Sequence, residues 1–236
     1  MATIYVDYVS QPCRACLLFC RVNNIEIQTK VVSLAKGENK TADFLELNPL
    51  GKVPFLTDGS FRLPESAAIL RYLATTRQVT DNWFPADAQR QARVNAACDW
   101  HHTSIRRGVT SQVYNRVLAP MAGLPASDRE AKQGVGMLAA ALKAMESFWL
   151  EGSAFVAGHE VSIADLLIIT ELEMLRLLAA SPQGPSAEEQ LAPFPALRAW
   201  MERVPERVGR RHYTQVNAIL DKVVVNARRR LQPAKL

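Results

Sequence analysis

The chain has 236 residues, enough for one large or two small domains, and its 48% hydrophobic and 22% charged content points to a packed core and excludes bulk disorder. No run reaches the ~18 apolar residues that a membrane span needs, and Met1-Ala2-Thr3-Ile4-Tyr5-Val6-Asp7 lacks the basic-then-apolar layout of a secretory signal, so a cytoplasmic protein is expected. Much of the net charge of +5 sits in Arg203–Arg211 and Arg228-Arg229-Arg230 rather than in a stripe interleaved with aromatics, which argues against a nucleic-acid partner.

In chain order, Thr3–Val9 alternates as a strand. Ser10-Gln11-Pro12 follows, then a helix that buries Ala15, Leu18, Phe19 and Val22 on one face, with Pro12 suited to its first turn. Glu26–Leu34 reads as a second strand and Thr41–Leu47 as a short helix stopping before Pro49. Val53–Thr57 and Ser60–Leu63 flank Asp58-Gly59, a strong hairpin signal, and Glu65–Thr76 is helical. The order βαβ, α, ββα predicts a small mixed sheet in a thioredoxin-like arrangement. Strand signals then end. Asp81–Pro85 reads as a linker, Ala86–Leu118 as a long helix broken by Pro120, and Ser127–Trp149 as a second long helix. Ser162-Ile163-Ala164-Asp165 has the form of a capping box before a helix reaching Leu178. Ser181–Pro193 is a polar loop, with helices over Phe194–Val204 and Arg210–Arg230. The predicted fold is therefore an α/β thioredoxin-like domain at 1–80, an all-α domain at 87–225 and a basic tail at 226–236.

Three segments at one end of this sheet carry the candidate chemistry. Ser10 lies between the first strand and the first helix, where free N–H groups and a serine hydroxyl can serve an anion, or where the serine simply caps the helix. In Asn48-Pro49-Leu50-Gly51-Lys52-Val53-Pro54, a cis Val53-Pro54 bond would offer the Val53 amide and carbonyl to a peptide-like ligand; the alternative is an ordinary loop. Glu65 could accept from an ammonium and Ser66 could donate to a carboxylate, or both could only cap their helix. Together the three suit a small zwitterionic peptide, and no nucleotide-binding glycine motif competes. His101 and His102 are adjacent and do not share a helix face, so no metal site is expected there; one packs and the other is solvated.

Four cysteines do not make a disulfide framework in a chain this long. Cys13-Arg14-Ala15-Cys16 is nonetheless a C-x-x-C, and it supports an alternative reading as a thiol–disulfide oxidoreductase. A non-catalytic ligand carrier is a third reading.

Ser10-Gln11-Pro12-Cys13-Arg14-Ala15 resembles the Ser-Gln-Pro-Ser-Arg-Ala signature of theta-class glutathione transferases. The resemblance continues through Leu34-Ala35-Lys36-Gly37, Asn48–Pro54, Glu65–Leu70, Asp99–Thr103 and Ser162–Asp165, in order, to about Leu220. Trp100-His101-His102-Thr103 and Arg106-Arg107-Gly108 look plant-like. The resemblance implies a homodimeric enzyme whose co-substrate is glutathione and whose second substrate is a hydrophobic electrophile or an organic hydroperoxide, with no metal and no membrane partner. It implies that Ser10 stabilises the thiolate and Arg106 favours it. Asn39 and Lys40 would approach the glycine carboxylate, Lys52 and Val53 the cysteinyl backbone beside cis Pro54, and Glu65 and Ser66 the γ-glutamyl end. Other members carry an aspartate where this chain has Thr103, a position that can face glutathione; Cys13 replaces a serine, and Pro64 precedes Glu65. The C-terminal Ala234-Lys235-Leu236 resembles a peroxisomal address.

Overall fold

The computed structural model describes residues Met1–Leu231. Its first part runs β1 (Thr3–Val6), α1 (Gln11–Val22), β2 (Gln28–Val31), α2 (Ala42–Leu47), β3 (Phe55–Asp58), β4 (Phe61–Pro64) and α3 (Ser66–Thr76). The sheet order is β2-β1-β3-β4, with β1 parallel to β2 and the β3–β4 hairpin antiparallel. This is the mixed sheet expected from the sequence. Its strands are shorter than expected because β1 leaves the sheet at Asp7, whose carboxylate accepts from the Val9 N–H at 2.8 Å and the Leu34 N–H at 2.9 Å. That turn also ends the ladder available to β2.

Asp81–Trp83 forms a single 3-10 turn that joins the two parts. Trp83 is buried, edge-on to Phe19 at 5.3 Å, and the Asn82 amide donates to the Val161 carbonyl at 2.6 Å, so the linker is anchored to both parts. The helical part comprises α4 (Ala88–Thr103), α5 (Ile105–Val113), α6 (Ala119–Met121), α7 (Asp128–Ala144), α8 (Ile163–Leu172), α9 (Ala187–Leu191), α10 (Pro195–Val208), α11 (Arg210–Asn217) and α12 (Ile219–Leu231).

Four differences from the sequence expectation have local causes. The first long helix breaks at Ser104 (φ −115°, ψ −83°), next to Thr103, whose hydroxyl back-bonds to the Trp100 carbonyl at 3.3 Å. Pro120 does not end the helix: it occupies the first turn of α6, where its missing N–H costs nothing. The polar segment 181–193 contains α9, started by a capping box of Ser186 and Glu189. Finally, the boundary drawn at 226 falls inside α12, which continues to Leu231 much as the helix expected over Arg210–Arg230, with Ala227 buried in the core.

The centre of the molecule is α8. All ten of its residues are buried, and α1, α3, α4, α5 and α10 pack on it. The buried Asp165 carboxylate holds its start, accepting from the Ser162 N–H at 2.8 Å, the Val156 N–H at 3.0 Å and the Trp200 indole at 2.8 Å. Alongside, α5 and α7 cross almost backbone to backbone: a Cβ on Gly108 would lie 2.7 Å from the Leu138 nitrogen.

Candidate functional site

Strand register brings the three candidate segments to one end of the sheet. Val6 pairs with Val31, Tyr5 with Phe55, and Phe55 with Pro64. Hence the exit of β1 toward Ser10, the exit of β2 toward Asn39 and Lys40, the Val53-Pro54 entry to β3 and the exit of β4 into Glu65 and Ser66 share that edge. Ligands of open α/β sheets collect where parallel strands end and helices begin.

Ser10 is the N-cap residue of α1, with extended backbone (φ −67°, ψ 119°), yet its side chain makes no capping hydrogen bond. Pro12 follows in the first turn, where no N–H is wanted. The hydroxyl faces the Cys13 thiol one turn on instead, beside the helix's free N–H groups, which favour an anion.

The second segment is built around Gly51, whose φ of +58° suits glycine. Its carbonyl accepts from the Asn39 side chain at 2.8 Å, and a Cβ placed on it would lie 3.0 Å from the Lys40 ammonium. Asn39 and Lys40 are thus brought against this loop, with the Asn39 amide committed to it. Buried Asn48 braces the turn from inside, donating to the Lys52 carbonyl and accepting from the Leu50 N–H. Lys52 is exposed, and the Val53-Pro54 bond is cis, as expected. Among the described residues the Val53 N–H has no hydrogen-bond partner.

Glu65 and Ser66 open α3. Glu65 is exposed and sits at φ +68°, a strained conformation for a residue with a Cβ, and its side chain makes no capping bond. Strain of 1–3 kcal/mol at such a position is a recurrent mark of ligand clamps (roughly, for residues outside the common backbone regions).

From the helical part, α5 contributes Arg106, whose Nη1 lies 3.2 Å from the Glu171 carboxylate of α8. Arg106 is therefore already paired with an anion of the chain itself. Thr103, at the exposed end of α4, spends its hydroxyl on Trp100 and makes no hydrogen bond to the other candidate residues. His101 is buried and His102 exposed, as their adjacency on a helix requires. Two hollows, of about 300 and 480 Å³, are lined by none of these residues.

The same architecture recurs in known proteins. The model of the glutathione S-transferase N-terminal domain matches residues 9–76, and that of the glutathione S-transferase C-terminal domain matches residues 111–207. Glutathione S-transferase T1 of Arabidopsis thaliana is 38% identical over 223 residues, covering 93% of this chain and 89% of the relative.

The chain belongs to the glutathione S-transferase family.

Theta-class members are among its relatives: glutathione S-transferase theta-1 of Homo sapiens is 36% identical over 92% of this chain and 88% of that relative. Glutathione S-transferase T2 of Arabidopsis thaliana is 38% identical, over 92% of this chain, although this chain spans only 36% of that relative's length. A crystal structure of human glutathione transferase theta-2 in complex with glutathione matches with a TM-score of 0.88 at 33% identity, covering 99% of this chain and 93% of that one.

In this glutathione S-transferase the C-x-x-C is shut inside the core. Cys13 and Cys16 are both buried. Burial, partly offset by the Ser10 hydroxyl, pushes the Cys13 thiol up to about 12, and burial pushes Cys16 well above the ordinary thiol range. The Cys16 thiol lies 3.9 Å from the Ser66 carbonyl, so it packs behind the site. Among the described residues no three His, Cys, Asp or Glu side chains group to hold a metal ion.

Three residues at this edge escaped the sequence reading. Asp7 ties the β1 and β2 exits together; its Asx-type turn before Ser10 was the available signal. Gln11 donates to Glu171 at 2.7 Å across the two domains. Glu171 itself is the single acid at the end of the apolar run Ile163–Leu172 once Asp165 is assigned to the cap, and a lone acid there is rarely buried without a partner.

Proposed function

We propose that this chain is a theta-class glutathione transferase: it binds glutathione at the common edge of the sheet, holds its sulfur as a thiolate at Ser10 and adds it to small hydrophobic electrophiles. The observation that carries this is the Ser10 hydroxyl, placed at a helix N-terminus and making no capping hydrogen bond to its backbone. A free thiol titrates near ~8.5, so little is nucleophilic at neutral pH, and each unit of lowering corresponds to ~1.4 kcal/mol. One donated hydrogen bond, a helix N-terminus and the guanidinium of Arg106 act in the same direction. The thiolate sulfur then bonds to the electrophilic carbon while the leaving group departs with the electron pair.

The remaining residues fit the rest of the tripeptide. Lys40 supplies a cation for the glycine carboxylate, with Asn39 holding the loop that carries it. The Val53 amide, beside Lys52 and Pro54, is free to pair with the cysteinyl backbone. Exposed Glu65 suits the γ-glutamyl ammonium, and Ser66, at the start of α3, suits its carboxylate. The same thiolate can attack an organic hydroperoxide: the O–O bond breaks, an alcohol leaves, and a second glutathione converts the resulting sulfenic acid to glutathione disulfide and water.

Turnover of glutathione with an alkyl halide and, separately, with an organic hydroperoxide tests both activities. Conjugate and disulfide are the expected products; glutathione binding without turnover of either would make the chain a carrier and sink the proposal. The exposed rings of Phe61 and Phe148 favour a homodimer, which sedimentation would detect. The peroxisomal tripeptide Ala234-Lys235-Leu236 lies outside the described residues. We propose a cytoplasmic protein with a peroxisomal fraction; purely diffuse fluorescence from a reporter carrying the last ten residues would count against that fraction.

A further inference from the structure

Glu171 stands where the two domains meet, only 1% exposed, and the acts proposed above leave it unused. Its neighbours arrive from three helices. From α1, Gln11 Nε2 donates to Oε1 at 2.7 Å. From α5, the Thr110 hydroxyl donates to the same oxygen at 3.3 Å, and Arg106 Nη1 donates to Oε2 at 3.2 Å. From α4, His101 Nε2 lies 3.6 Å from Oε2, too far for a full hydrogen bond but close enough for its charge state to be felt. The Gln11 amide is also 3.5 Å from the Thr110 hydroxyl, which closes a small ring around one oxygen.

A buried carboxylate with this many partners is costly to assemble, since desolvation must be offset by good geometry and a countercharge. Two of its three clearest donors belong to the reacting end of the site. Gln11 is the residue after Ser10 and opens α1. Arg106 keeps 30% of its side chain exposed, while the Glu171 side chain it touches is 1% exposed.

We propose that Glu171 is a positioning residue for the thiolate: through Gln11 it locks the turn that carries Ser10 against the helical domain, and through Arg106 it both aims the guanidinium and balances its charge. This rests on the reading of Ser10 as the residue that holds the glutathione sulfur.

The charge balance has a sign that can be measured. Arg106 favours a nearby anion and Glu171 opposes it, so removing each should move the bound thiol in opposite directions. Burial works to raise the Glu171 pKa, but the His101 imidazole, the Arg106 and His101 charges and the Gln11 amide outweigh it, so the carboxyl is ionised at neutral pH. The other charged groups facing the cluster are Arg14, from α1, and Glu173, just beyond α8. Arg14 stays in place in every variant below, and Glu173 is occupied by Arg176 at 3.0 Å and by the Tyr213 hydroxyl at 2.7 Å.

The test is a pH titration of the ultraviolet absorbance of the bound glutathione thiolate, with kcat and KM measured in parallel. Glu171→Gln keeps the shape and an oxygen for Gln11 but removes the charge. Its thiol midpoint is expected to fall by about half a unit to one unit, the size of one charge at roughly ten ångströms in a medium of intermediate dielectric. Gln11→Leu removes the tether and no charge; kcat is expected to fall about 3- to 10-fold, as for one lost hydrogen bond, with the midpoint and the KM for glutathione unchanged. A side chain that only supports the fold would change the yield of folded protein and leave the Glu171→Gln midpoint where it was. An unshifted or raised midpoint in Glu171→Gln, or wild-type kcat in Gln11→Leu, overturns the proposal. If Glu171→Gln does not fold, Gln11→Leu alone decides. Absence of any thiolate signal in the wild-type protein would instead overturn the reading of Ser10, and this inference with it.

Discussion

Arg14 and Asn217 lie 203 residues apart in sequence and are joined, fully buried, by a hydrogen bond from the guanidinium to the side-chain oxygen. The same guanidinium donates to the Thr170 carbonyl at 3.1 Å, so one side chain of α1 links it to α8 and α11. Burial pulls the Arg14 pKa down to about 10, with Glu173 and Glu171 opposing, and it remains a cation at neutral pH. Removing one partner of a buried charge leaves that charge poorly solvated. Asn217→Ala is expected to cost about 1.5–3 kcal/mol in urea unfolding, and a loss below a few tenths would mean that water replaces the amide.

Ser10→Ala should slow the thiolate-dependent step more than it weakens glutathione binding. A hydrogen bond to a charged group contributes ~1.5–3 kcal/mol, which corresponds to a fall of about 10- to 150-fold in kcat/KM. Glutathione affinity should change little, because the two ends of the tripeptide are held elsewhere. Near-normal turnover by the folded variant would reduce Ser10 to the start of a helix.

Arg106→Ala should raise the midpoint of the pH–rate profile by a fraction of a unit. The direction follows from losing a cation near an anion, and the modest size follows from the pairing with Glu171, which already takes up part of its field. A profile that stays put would confine Arg106 to the domain contact.

Cys13→Ala combined with Cys16→Ala should retain most glutathione-dependent turnover. With burial pushing Cys13 up to about 12, the thiolate fraction at pH 8 is on the order of one in ten thousand. Native protein should therefore resist iodoacetamide at that pH. Rapid alkylation of either thiol, or loss of turnover in the double variant, would revive a dithiol mechanism.

The sheet was legible because its signals are local. Asp58-Gly59 marks the hairpin, the spacing of Ala15, Leu18, Phe19 and Val22 marks α1, and Ser162 with Asp165 marks the start of α8. The clustering of Ser10, Val53 and Glu65 at one edge followed from strand order, whereas Lys40 entered only through the family resemblance. What stayed hidden depends on partners far away in sequence. Nothing near Arg106 announces Glu171, and nothing near Gln11 announces α8. The break at Ser104 lies in its own backbone angles (φ −115°, ψ −83°), which helical periodicity does not record. The positive φ of Glu65 was equally invisible, since glutamate is not a residue that advertises a left-handed backbone.

The pairing of Gln11 with Glu171 and of Arg14 with Asn217 also limits how such proteins can be recombined. Each pair takes one member from the first eighty residues and one from the helical part, and both pairs are buried or nearly so. A hybrid joining the sheet of this chain to the helices of a relative would inherit half of each pair. If the new partner brought an apolar residue at either place, a polar group would be stranded inside the seam. The halves therefore have to be exchanged together with their matching residues, and the seam acts as a lock on which sheets and which helices can share a chain.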